Sequence, residues 1–117
     1  MTNMHSPVEL VGEPMSAVSF VMDYVEFHFS GPVLRALTGV QVSIAGVNHT
    51  FPGIGSRDAL CSLIGQTLKA VTLDAGVAAR LQFANGGVVT IPLDESSRVG
   101  PEAMHFVPGF NQPIAVW

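Results

Sequence analysis

Two stretches of this chain carry the same spacing of apolar and glycine residues. Leu10-Val11-Gly12 leads into Met15-Ser16-Ala17-Val18, and Leu63-Ile64-Gly65 leads into Leu68-Lys69-Ala70-Val71. A second apolar run follows each copy, Val25-Glu26-Phe27-His28-Phe29 in one and Ala79-Arg80-Leu81-Gln82-Phe83 in the other. These close on Ser30-Gly31 and Asn85-Gly86. A stacked solenoid needs three or more copies, so a pattern present twice points to a duplicated supersecondary unit closing on one core. The copies agree at the inward positions, Leu10 with Leu63, Gly12 with Gly65, Val18 with Val71 and Phe29 with Phe83. They differ at the outward ones, Glu26 and His28 against Arg80 and Gln82. Convergence on β alternation would produce part of this match, so duplication and convergence both stand at this point. The units run over about 10–51 and 63–117 within a single domain, 1–117. They diverge most in 31–55 and after Leu93, where function is therefore sought.

The local grammar is that of β structure. Ser6-Pro7-Val8-Glu9 reads as a helix start, with a capping serine, a first-turn proline and a glutamate three residues on, but Gly12 follows within a turn. From Met15 the period is two, Met22-Asp23 reverses the chain, and Tyr24 to Phe29 alternates with Val25, Phe27 and Phe29 inward. Leu34 to Leu37 fits a strand or a helical turn. Val40 to Ile44 and Val47 to Phe51 flank a turn at Ala45-Gly46. Ser56 is expected to cap a helix over 57–64, with Leu60, Leu63 and Ile64 on one stripe. Leu68–Leu73, Ala78–Phe83 and Val88–Leu93 form a meander whose Asn85-Gly86 turn is a strong hairpin signal. Pro92 places the last of these strands on an edge or at its end. Asp94 to Gln112 reads as irregular, and Ile114 to Trp117 as a final short strand. The expected fold is α+β, mainly antiparallel β, made of two unequal hairpin units with one short helix packed on the sheet.

Composition narrows the function classes. Charged residues are 12% of the chain, about half the usual quarter, and the mean hydropathy is +0.43. So little charge predicts a surface poor in charge or one partly buried against another copy, and a homodimer, the commonest closed assembly, is expected. A net charge of −4 with one lysine, Lys69, and scattered arginines argues against nucleic acid. No apolar run approaches the ~20 residues needed to cross a bilayer. The first dozen residues lack the basic start and apolar stretch of a signal peptide. One cysteine, Cys61, precludes an internal disulfide and suits a reducing cytoplasm.

Candidate chemistry is sparse. Gly53-Ile54-Gly55 before a helix suggests a nucleotide loop, but Asp58 falls where the third glycine should stand and would repel phosphate. His5, His28, His49 and His105 form no zinc-type spacing, and Glu26 with His28 supplies two ligands at most; no metal or cofactor is expected. Cys61 in mid-helix reads as a packing residue. The densest polar stretch is the loop of residues 94–110. Within it Glu102 and His105 would meet on one face of a helical turn and act as acid and base, or Glu102 would orient His105. The plainer reading has Arg98 and the carboxylates pinning the loop while Phe106 and Val107 plug the sheet. If a pocket exists, Arg57, Arg98 and Tyr24 are its expected ligand-binding neighbours.

Pro52, Gly55-Ser56-Arg57-Asp58-Ala59-Leu60-Cys61, Leu63-Ile64-Gly65, Ile91-Pro92-Leu93-Asp94, Ser97-Arg98-Val99-Gly100-Pro101-Glu102-Ala103, His105-Phe106-Val107-Pro108 and Val116-Trp117 together resemble a small bacterial family of uncharacterised single-domain proteins. The resemblance covers most of the chain. It implies a soluble bacterial protein and brings no activity or site residues with it. The leading expectation is a non-enzymatic cytoplasmic domain that self-associates or binds a protein partner, with apolar contacts that include Phe110 and Trp117. The alternatives are a small-molecule binder or enzyme using Glu102 and His105 in the 94–110 loop, and an immunity or regulatory protein.

Overall fold

The computed structural model describes residues 5–109 and 112–117. Alternating apolar residues set up ten antiparallel strands: β1 (Ala17–Val21), β2 (Tyr24–His28), β3 (Val33–Ala36), β4 (Gln41–Ile44), β5 (Val47–Thr50), β6 (Leu68–Asp74), β7 (Ala78–Phe83), β8 (Val88–Pro92), β9 (Met104–Val107) and β10 (Ala115–Val116). One helix, α1 (Ser56–Cys61), lies between β5 and β6, and a 3-10 turn over Pro7–Leu10 precedes β1. The Ser6–Glu9 capping box closes that turn, with the serine side chain bonding Val8 N and the glutamate returning to the cap backbone. Between β4 and β5, Ala45 and Gly46 both take positive φ, 50° and 80°, the pattern of a two-residue type I′ hairpin turn.

The strands form two five-stranded sheets, ordered β1-β2-β3-β9-β10 and β5-β4-β8-β7-β6. Each sheet is a three-stranded meander from one half of the chain completed by a hairpin from the other half. The β4–β5 hairpin leaves the first meander and pairs with β8; the β9–β10 hairpin leaves the second and pairs with β3. The two halves therefore carry the same pairing order with their terminal hairpins exchanged. They stay unequal in loop lengths and in the element before the first strand, a 3-10 turn in one and α1 in the other.

The two halves also meet through matching backbone bonds. Gly12 N donates to Leu68 O at 2.8 Å, and Gly65 N donates to Met15 O at 2.7 Å. Met15 N donates to Gln66 O at 3.0 Å, and Leu68 N donates to Glu13 O at 2.9 Å. Each bond becomes its counterpart when Gly12 is exchanged with Gly65, Glu13 with Gln66 and Met15 with Leu68. The bridge between Pro14 and Thr67 lies between them and maps onto itself.

Both sheets turn their apolar faces into one cluster. Phe27, Leu34 and Phe106 from one sheet and Leu81, Val89 and Ile91 from the other are fully buried, together with Leu60 and Leu63. Burial of side chains this size supplies about 1.5–3 kcal/mol each before entropy is counted. Thr38, 3% exposed, sits on the crossover from β3 to β4 and donates its hydroxyl to Pro92 O at 2.7 Å, tying the crossing strand to the end of β8.

Several expectations change in detail. Leu34 to Ala36 resolve to strand and Leu37 follows it, because β3 finds partners in both β2 and β9. The helix ends at Cys61 rather than residue 64; Leu63 N and Ile64 N close tighter turns on Leu60 O and Cys61 O, and Ile64 is exposed. Ser56 is the first helical residue rather than the cap; left-handed Gly55 (φ 83°) takes the cap position and Ser56 Oγ donates back to Gly53 O. Cys61 is exposed on the last turn, not packed. Residues 94–112 are not irregular throughout, since they contain β9, which saturates the edge of β3. Pro92 ends β8, and that strand is interior, between β4 and β7.

Candidate functional site

Residues facing away from the core on the first sheet form a continuous polar chain across four strands. The register aligns Ser19, Glu26, Arg35, His105 and Val116 in one row. Ser19 Oγ lies 3.0 Å from His28 Nε2, and that same nitrogen is 3.8 Å from Glu26 Oε1. Arg35 Nε donates to Glu26 Oε2 at 2.7 Å, and Arg35 Nη1 reaches His105 Nδ1 at 3.0 Å. His105 Nε2 meets Glu102 Oε1 at 2.8 Å. A guanidinium only donates, so Nδ1 of His105 accepts and its proton sits on Nε2, facing Glu102. The corresponding row of the second sheet, Thr72, Arg80, Thr90, Gln41 and Thr50, is nearly free of ionisable groups.

This chain of contacts ends beside a groove of about 180 Å³. Asp23 from the β1–β2 turn and Tyr24 at the start of β2 form one wall, Leu37 after β3 contributes apolar surface, and Val99, Pro101 and Glu102 form the other wall. Glu102 gives one oxygen to His105 and keeps 43% of its side chain exposed; its other oxygen has no hydrogen-bond partner among the described residues. Met22 at the tip of the turn is 93% exposed, and Val99 is 86% exposed.

The expected site residues therefore divide. Tyr24 and Glu102 line the groove together, and His105 supports Glu102 from behind without lining it. The Glu102–His105 pair forms without a helical turn, because a bend before β9 brings the two side chains together. Arg98 does pin the loop: Nη1 donates to Pro101 O at 3.0 Å and Nη2 to Leu93 O at 3.1 Å. Phe106 is core within β9 rather than a plug. Arg57 is not at the groove. It lies over Phe51 and Phe20, 5.0 Å and 5.8 Å from the ring centres, on a stacked aromatic pair. Trp117 packs against the core instead of standing free, and Phe110 lies outside the described residues. Arg35, Asp23, Leu37 and Val99 were not singled out from sequence. The outward parity of Glu26 and His28 was readable, but only the β3–β9 pairing sets Arg35 between Glu26 and His105.

The arrangement limits the chemistry. A serine nucleophile needs histidine with one nitrogen at the hydroxyl and the other at the carboxylate. Here the same His28 nitrogen faces both Ser19 and Glu26. His105 has both ring nitrogens engaged, so neither is free to take a substrate proton in this arrangement. Among the described residues no group of three or more His, Cys, Asp or Glu side chains is placed to hold a metal ion, and no helix is long and apolar enough to cross a membrane. Asp94, on the loop leading to the groove, titrates below its ordinary value because the hydroxyls of Ser96 and then Ser97 donate to it. Comparison with protein-family models, curated proteins and solved structures gives no match for this chain.

Proposed function

We propose that this protein is a non-enzymatic binding domain whose site is the groove between the β1–β2 turn and the 99–102 loop, and that its ligand is a side chain presented by another protein. The observation that carries this reading is the size and wall chemistry of the groove. At about 180 Å³ it falls below the ~300–1,000 Å³ typical of sites that enclose a whole small molecule, yet it accommodates one side chain against Tyr24, Leu37 and Pro101. Exposed Met22 and Val99 extend its apolar rim. Met22 holds φ 48°, a left-handed conformation that costs a bulky residue roughly 1–2 kcal/mol and that the two-residue turn between paired Val21 and Tyr24 requires. The engaged nitrogens of His105 support binding over acid–base catalysis. We read the partner as protein, either another protein or a second copy in a homodimer, in a bacterial cytoplasm. The matched backbone bonds support duplication over convergence.

A photo-crosslinking residue placed at Met22, with a control at Thr72 on the opposite sheet, tests the reading in the cell. Protein adducts are expected from position 22 alone, and Leu37→Arg should abolish them. An adduct of twice the chain's mass identifies a second copy. Equal labelling from both positions, or none from position 22, sinks the proposal.

A further inference from the structure

Taking the groove as a protein-binding site, the geometry points to its occupant: we infer that it receives the arginine side chain of a partner protein, with the guanidinium against Glu102 and Asp23 and the aliphatic stem along Tyr24, Leu37 and Pro101. Charge complementarity is the first ground. Two of the chain's nine acidic residues line this small groove, and none of its five lysines and arginines does. A neutral apolar side chain would bury these carboxylates without replacing their water, at a cost.

The presentation of Glu102 is the second ground. Its Oε1 is occupied by His105 Nε2, and His105 is fixed from the other side by Arg35, itself held by Glu26. The carboxylate is thus oriented before any ligand arrives, with its second oxygen unpaired among the described residues. Holding one oxygen in place reduces the side-chain entropy lost on binding. The wall composition selects between the two basic residues. A guanidinium is planar, weakly hydrated and matches carboxylates with its fork of donors, whereas an ammonium keeps a tight water shell that an apolar-walled groove cannot replace.

The test is an NMR titration of the full chain with three blocked probes, N-acetyl-arginine, N-acetyl-citrulline and N-acetyl-leucine N-methylamides. Citrulline has nearly the shape of arginine without its charge. Saturable shifts at Gly100, Glu102 and the Tyr24 ring are expected with the arginine probe. The citrulline probe should bind about fivefold more weakly, the factor a partly exposed ion pair supplies. Glu102→Gln and, separately, Asp23→Asn should each remove most of that preference while leaving the rest of the spectrum in place. A citrulline or leucine probe binding as well as arginine overturns the inference, as does an arginine preference unchanged in both variants or shifts mapping elsewhere. Binding of the leucine probe at these residues without arginine preference would leave the groove itself standing. Crosslinking that fails at position 22 would remove the groove reading as well.

Discussion

Replacing Arg35 by methionine tests the polar chain across the first sheet. The aliphatic stem stays on the sheet face while every donor disappears. Among the described residues, Glu26 then keeps only His28 Nε2, at 3.8 Å, and His105 Nδ1 loses its one side-chain donor. The Arg35–Glu26 contact is short, 2.7 Å, between side chains 28% and 17% exposed. Fully exposed pairs contribute about 0.2–1 kcal/mol, and hydrogen bonds to charged groups about 1.5–3 kcal/mol. Partial burial places this pair between, at a coupling of about 1–1.5 kcal/mol. With the orphaned His105 nitrogen added, Arg35→Met should cost about 2–3 kcal/mol in urea unfolding. Glu26→Gln alone should cost about 1 kcal/mol, and the double variant less than the sum by the coupling energy. A coupling below about 0.3 kcal/mol, within the scatter expected of independent sites, would refute the claim that these residues act as one network.

Three further outcomes follow from particular contacts. Thr38→Val keeps the shape of a buried residue but removes the hydroxyl holding Pro92 O, and should lower stability by about 1 kcal/mol in the same assay; no change would mean the crossover is held by packing alone. Met22→Gly should leave stability equal or raise it by up to about 1 kcal/mol, by relieving the left-handed backbone, while weakening the groove's contacts; a clear loss of stability would contradict the strain. Ser96→Ala combined with Ser97→Ala should raise the Asp94 titration midpoint toward the ordinary 3.8, followed by carboxyl carbon NMR. Because the folded carboxyl titrates below its unfolded value, its contribution is present above that unfolded value. It is lost as pH falls through the lowered folded one, so the double variant should lose less stability on acidification than the parent.

Much of the local structure was readable along the chain. Val25, Phe27 and Phe29 alternate inward as their spacing demands, Ala45-Gly46 and Asn85-Gly86 turn where hairpin chemistry places them, and Gly12 and Gly65 take φ of 96° and 90°. The site was legible only in part. Glu102, His105 and Tyr24 stand out as residue types in a polar stretch or on an outward face, and the structure brings them to one end of one sheet. Arg35 lay in a segment too short and mixed to assign by period. Arg57 was misplaced because nothing local in the sequence reveals that Phe20 and Phe51 stack beneath it.

Alternation, turn residues and caps act over two to four positions, so the sequence by itself determined most of the strands and their inward faces, though not β3 or β9. Which sheet each hairpin joins is a different kind of choice. The pairings of β3 with β9 and β4 with β8 join strands far apart along the chain, and no local signal distinguishes them from a hairpin folding back on its own meander. Tertiary structure decided it, by saturating the open edges of β3 and β8 with strands whose apolar faces complete the shared core. The same exchange sets His105 beside Arg35 and brings Glu102 to the groove beside Tyr24.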